Sequence, residues 1–161
     1  MSDIIYTPIG IIHTPFKTPA GTPIQPQGAT GEDGTVEVFP EYVDGLADLP
    51  DFSHIYLIYH FHLSKPFAMR IKPFLDDKSH GLFATRAPSR PNPIGISVVE
   101  LIDIDKDKLH VRDIDVVDKT PLLDIKPYVP DFDVREATKI GWLEKKTQKI
   151  KKTIDDGRFS R

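Results

Sequence analysis

Ile55-Tyr56-Leu57-Ile58-Tyr59-His60-Phe61-His62-Leu63 is the run that decides the fold. β-Branched and aromatic residues dominate it. Its odd positions are Ile55, Leu57, Tyr59 and Phe61; its even positions are Tyr56, Ile58, His60 and His62. A strand wetted on one side alternates apolar with polar, whereas two such apolar faces belong to a central or barrel strand.

Working outward, Ile4–Ile12 reads as a first strand, edge or bulged because Pro8 lies inside it. Thr14–Gly34 is a long connection rich in Pro, Gly, Thr and Gln, of the kind that is functional or disordered. Thr35–Phe39, Met69–Leu75, Gly81–Thr85 and Leu122–Ile125 are further strand candidates, and Pro40–Leu49 suits a short helix. Ile96–Ile104 and Leu109–Val117 read as a hairpin turning at Asp105-Lys106-Asp107. In the second arm the apolar parity changes from Leu109 and Val111 to Ile114 and Val116, which predicts a bulge near Arg112-Asp113. Beyond Pro130 the period becomes helical, with Ile140, Leu143, Thr147, Ile150 and Ile154 in steps of three and four beside Trp142. The expected architecture is mainly β: a small antiparallel β-barrel over residues 1–135, with a C-terminal amphipathic helix, residues 136–161, packed on the same domain.

The 161 residues suit one globular domain, with 39% hydrophobic and 28% charged residues. No run of 18 apolar residues and no secretory pattern is visible, so a cytoplasmic protein without membrane contact is expected. Cysteine is absent, which excludes disulfides, thiolate metal sites, iron–sulfur clusters and a Cys nucleophile. A net charge of −3 argues against wholesale coating of nucleic acid. The stretch Lys139–Lys152 is nonetheless basic; its face is either solvated or an electrostatic contact for nucleic acid or a partner.

Nucleotide fingerprints are missing: Gly28, Gly31 and Gly34 have the wrong spacing, and Glu32 and Asp33 between them would repel phosphate. His60 and His62 share one strand face, but spacing selects no third ligand, and no metal is expected. Ser89 and Ser97 lie outside a nucleophile elbow.

Two stiff polar stretches stand out. In Leu82–Leu101, Pro88, Pro91 and Pro93 fix their own φ and extend the residues before them, holding Arg86, Arg90 and Asn92 ready, while Gly95 permits an approach that a side chain would block. In Asp113–Asp131 a series of acids flanks apolar strand residues; Asp115 and Asp118 either cap turns or accept hydrogen bonds from a ligand.

Residues 84–95, ATRAPSRPNPIG, and 118–128, DKTPLLDIKPY, resemble the two signatures of the TsaA/TrmO-like family, A-T-R-S-P-x-R-P-N-P-I-G and D-G-T-P-V-L-D-I-K-P-Y. Residues 9–16, Pro23-Ile24-Gln25-Pro26 and Phe52-Ser53-His54-Ile55 also match, so the resemblance spans roughly residues 4 to 131. It implies a dimeric β-barrel methyltransferase that uses S-adenosyl-L-methionine and acts on N6 of N6-threonylcarbamoyl-adenosine in the tRNA anticodon loop. The cofactor contacts it implies are Gln25, Pro26, Gln27, Gly28, His62, Leu63, Arg86, Ile96, Ile114, Asp115 and Val116. Asp124, Lys126 and Tyr128 would line the acceptor side, with Arg90 holding an anion and Asn92 pinning the loop or reading a base edge. Ala87 and Lys119 depart from the signatures, and the extra C-terminal domain of many bacterial members is replaced by the basic helix. A non-catalytic module binding S-adenosylmethionine or RNA, or a methyltransferase for small molecules, remains the alternative reading.

Overall fold

The computed structural model describes residues 2–24, 28–144, 146 and 154. Its strands are β1 (Gly10–His13), β2 (Asp33–Val38), β3 (His54–His60), β4 (Arg70–Ile71), β5 (His80–Gly81), β6 (Ile94–Asp105), β7 (Lys108–Arg112) and β8 (Thr120–Pro127). Six of them close a barrel in the order β1-β2-β7-β6-β3-β8, with β8 returning to β1, while β4 and β5 form a separate two-stranded ribbon. Every pairing is antiparallel.

Alternation decides what enters the barrel. On β3 the odd face, Ile55, Leu57 and Tyr59, is buried, and on β6 Gly95, Ser97, Val99 and Leu101 point the same way. Ile12, Val36, Val38, Leu109, Val111 and Leu122 complete the core from the other strands. On β8 the core takes Leu122 and also packs against Ile125, residues of opposite parity. A register shift reconciles them: Tyr59 opposes Leu122 whereas Ile58 opposes Asp124, so one extra β8 residue is accommodated between them.

The first strand is shorter than the sequence suggests. Pairing begins with the Ile9 amide on the Leu122 carbonyl, and Ile4, Ile5 and Tyr6 stay outside the barrel. Pro8, lacking an N–H, cannot extend that ladder. Pro40–Leu46 is a 3₁₀ turn. Of Met69–Leu75, only Arg70–Ile71 is strand, and Leu82–Ala84 of the next candidate is a 3₁₀ turn. The change of parity after Val111 is not a bulge within a strand. β7 ends at Arg112, and Asp113 takes a left-handed φ of 66°, turning the chain so that Ile114 and Val116 enter the core from a loop. The bulge in this hairpin lies on β6, between Leu101 and Asp103.

Gly141–Leu143 is a single 3₁₀ turn, and Ile154 forms an isolated antiparallel bridge with Pro23. At those positions the expected C-terminal helix is not what forms; of its basic face, Lys145, Lys149, Lys151 and Lys152 lie outside the described residues. Gly141 has a left-handed φ of 59°, which interrupts a helix as soon as one could start.

Candidate active site

Barrel closure leaves a cavity of about 750 Å³ whose walls come from seven separate stretches of chain. They are Pro19–Ile24, Tyr59–Ser64 with Pro73–Leu75, Phe83–Arg90 with the start of β6, the segment from Asp115 to Thr120, and Trp142 with Leu143. Arg86, His62, Leu63, Ile96, Asp115 and Val116 all line it, as does Arg90. Asp115 is the one carboxylate among the described lining residues.

The proline loop is held by its own polar groups. Thr85 Oγ1 donates to the Leu82 carbonyl at 2.8 Å, and Arg90 donates to the carbonyls of Thr85 and Ala87 at 2.9 and 3.3 Å. The Arg90 guanidinium also lies 5.8 Å from the Phe83 ring centroid. Arg90 thus staples the loop that presents Arg86. Asn92 is exposed beyond the cavity, its carbonyl accepting from the Ile94 amide at 2.8 Å.

Asp118 fastens the opposite wall. It accepts from the Thr14 amide at 3.1 Å and from Lys17 Nζ at 2.7 Å, while Thr14 Oγ1 donates to the Val116 carbonyl at 2.8 Å. The Lys17 ammonium holds the Asp118 carboxyl below the usual carboxylate range, although burial opposes this. Asp118 therefore joins the long first connection to the segment that carries Asp115.

Three buried or half-buried polar groups meet at the base of the cavity. Ser97 Oγ donates to Asp115 Oδ1, and Tyr59 Oη lies 2.9 Å from Ser97 Oγ. Desolvation pushes the Asp115 carboxyl up to about 6, while the Ser97 hydroxyl, the residue's own amide and Arg86 hold it down. Burial raises the Tyr59 phenol strongly and leaves it a neutral donor. His62 stands in a turn past the end of β3, so it does not share a strand face with His60. Its imidazole lies 3.5 Å from Thr120 Oγ1, and burial, then His60, lowers its pKa. No group of three His, Cys, Asp or Glu suited to a metal occurs among the described residues.

Trp142 and Leu143 close one flank. Trp142 Nε1 donates to the Ala84 carbonyl at 2.7 Å, and the indole stacks on His80 with centroids 4.7 Å apart. Asp76 receives Lys146 Nζ at 2.6 Å and His80 Nε2 at 2.9 Å.

The other predicted residues that the structure describes lie apart from this cavity. Ile114 is in the core, Gly28 does not line the cavity, and Gln25, Pro26 and Gln27 lie outside the described residues. Asp124 and Lys126 pair at 2.8 Å on β8, and Tyr128 packs edge-on against Tyr56 at 5.5 Å. Asp124 lines a second cavity of about 560 Å³ with Ile9, Tyr42 and Phe52. Sequence reading missed Tyr59, Ser97, Thr120, Phe83 and Trp142 as lining or supporting groups. Ser97 had a signal: a polar residue on the inward parity of a strand that otherwise carries Gly95, Val99 and Leu101.

An antiparallel barrel with a polar-based cavity walled by connecting loops defines a β-barrel ligand-binding protein, distinct from the doubly wound sheets that hold nucleotides on glycine-rich turns. Residues 11–134 match the family described as the tRNA-methyltransferase O N-terminal domain, and the chain belongs to that family. A relative from Pyrococcus abyssi, named a probable S-adenosyl-L-methionine-binding protein, is 59% identical over 156 residues, covering 97% of this chain and 85% of its own length. The tRNA (adenine(37)-N6)-methyltransferase of Mus musculus is 31% identical over 138 residues, 81% of this chain but 32% of the mouse protein. The crystal structure of TrmO from Pseudomonas aeruginosa superposes with a TM-score of 0.72 at 37% identity, covering 88% of this chain and 63% of that one. The chain therefore spans a little under two thirds of the solved bacterial protein.

Proposed function

We propose that this protein is an S-adenosylmethionine-dependent methyltransferase acting on N6 of N6-threonylcarbamoyl-adenosine in tRNA. The observation that carries this reading is the convergence of the first signature, through Arg86, with the segment leading into the second, through Asp115, on one cavity. The donor set suits the cofactor: a guanidinium for a carboxylate, a carboxylate for an ammonium or hydroxyl, and apolar walls from Leu63, Phe74 and Ile96 for the rest. Similarity to a named tRNA methyltransferase and to a named S-adenosylmethionine-binding protein supports it.

Bound S-adenosylmethionine would supply an electrophilic methyl group for transfer to the acceptor nitrogen. The chain's contribution is alignment and exclusion of water. Thr85 and Arg90 fix the loop, Arg86 and Asp115 would hold the charged end of the cofactor, and the apolar rim would shed solvent. The acceptor nitrogen loses its proton to a residue on the acceptor side or to water.

We assign the acceptor side to Asp124, Lys126 and Tyr128. In one chain these stand on the outer barrel wall, away from the cavity. A homodimer that lays this wall of one copy over the cavity mouth of the other would unite the two sets. Cytoplasmic tRNA is the substrate this arrangement would meet.

The test is methyl transfer from labelled cofactor to tRNA lacking the N6-methyl, followed by nucleoside analysis, with the mass of the protein in solution measured alongside. Label in N6-methylated threonylcarbamoyl-adenosine, from a dimeric protein, is the expected result. Cofactor binding without transfer would instead mark a non-catalytic binding module, and label only in RNA-free metabolites a small-molecule methyltransferase.

A further inference from the structure

Ser97 and Tyr59 are 2% and 3% exposed, at inward positions where β3 and β6 otherwise place Leu57 and Val99. Hydroxyls buried among aliphatic side chains cost stability unless each finds a partner, and Ala and Phe would occupy nearly the same space without that demand. Both hydroxyls are satisfied in series. The single Ser97 proton goes to Asp115, so the Tyr59 hydroxyl must donate to Ser97 Oγ. The series crosses three elements and ends on the one carboxylate among the described cavity residues. Ser97 engages Oδ1, and the half-buried Asp115 lines the cavity.

We propose that Ser97, backed by Tyr59, is a positioning pair for Asp115, holding its carboxylate ionised and turned so that it takes a cationic or hydrogen-bond-donating group of the bound cofactor. This rests on the cofactor reading above and assigns roles to Ser97, which stands behind the cavity wall, and to Tyr59, which lines the cavity and reaches Asp115 through Ser97. The titratable and charged groups facing Asp115 are Tyr59 from β3 and Arg86 from the proline loop; His62 and Arg90 line the same cavity. Arg86 attracts the carboxylate form from one side while the two hydroxyls stabilise it from the other. Removing a hydroxyl therefore shifts the balance toward the neutral acid.

The experiment is calorimetric titration of the full chain with S-adenosylmethionine from pH 5 to pH 9. Affinity of the wild-type protein should fall as pH drops through about 6. In Ser97→Ala the midpoint should move to higher pH, with affinity at pH 7 reduced about tenfold and largely recovered by pH 9. Tyr59→Phe should move it the same way by less, and Ser97→Thr, which keeps a hydroxyl, should stay near wild type. Should Ser97→Ala prove unfolded, Tyr59→Phe carries the test. A wild-type midpoint in the variants, with binding intact, overturns the positioning role. Absence of binding by the wild-type protein overturns the cofactor reading itself.

Discussion

Tyr59 and Gly95 are direct cross-strand partners, and the tyrosine ring packs so closely on the glycine that a Cβ there would overlap it. A glycine within a strand often marks such an approach. Here it lets Tyr59 reach Ser97 while Phe61 stacks edge-on against the same ring at 5.4 Å. Gly95→Ala should displace the ring, cost about 1–3 kcal/mol of stability, and weaken cofactor binding. Denaturant unfolding and calorimetry on the same preparation check both effects.

Asp115 makes stability depend on pH in an unusual direction. Its folded-state pKa of about 6 lies above the ordinary Asp value of about 3.9. Ionising it therefore opposes folding; that cost is complete above pH 6 and disappears as pH falls toward 4. Asp115→Asn, whose carbonyl can still accept from Ser97, should be about 1–3 kcal/mol more stable than wild type at pH 7.5 without cofactor. The advantage should vanish near pH 4. Unfolding free energies measured across that range check the sign.

Asp118 should behave oppositely. Its carboxyl is held low chiefly by Lys17, so its stabilising contribution is present above the ordinary Asp pKa and is lost as pH falls through its lowered folded value. Asp118→Ala leaves the Thr14 amide and Lys17 without this partner and should cost about 1–2 kcal/mol at neutral pH. Hydrogen exchange should rise in the connection that follows β1, and little change there would contradict the fastening role.

Lys119 has a left-handed φ of 63° where the family signature carries glycine. A side chain in that conformation costs about 1–2 kcal/mol, offset in part by the greater freedom of an unfolded glycine. Lys119→Gly should therefore stabilise the protein by about 0.5–1 kcal/mol, readable as a rise in denaturation midpoint.

Trp142 is the sole tryptophan and stands in the cavity wall, so its fluorescence should change saturably on addition of S-adenosylmethionine. Trp142→Ala removes the bond to Ala84 and the stack on His80, and should weaken cofactor binding about three- to tenfold. A titration of this variant matching wild type would show that Trp142 only borders the site.

Much of the barrel was legible because the period of two is a local property: Ile55, Leu57 and Tyr59 carry their inward direction in their spacing. The stiff loop was legible for the same reason, since Pro88, Pro91 and Pro93 restrict the backbone wherever they are placed. Where strands stop was less legible. His62 and Asp113 fall beyond ladders that end when partner strands run out, a condition set elsewhere in the chain. The helical period past Pro130 was overruled at Gly141 and Ile154, where Trp142 packing and the bridge to Pro23 take precedence.

By itself, the sequence determined the strand faces, the rigid loop, the family signatures and the exclusion of cysteine chemistry, because each depends on residue type and near neighbours. Only the tertiary structure decided that Arg86 and Asp115 share a cavity, that Ser97 and Tyr59 stand behind Asp115, and that Asp124, Lys126 and Tyr128 face another way. Those relations arise when the barrel closes, which brings together residues tens of positions apart and fixes, through register and bulge, the side on which each emerges.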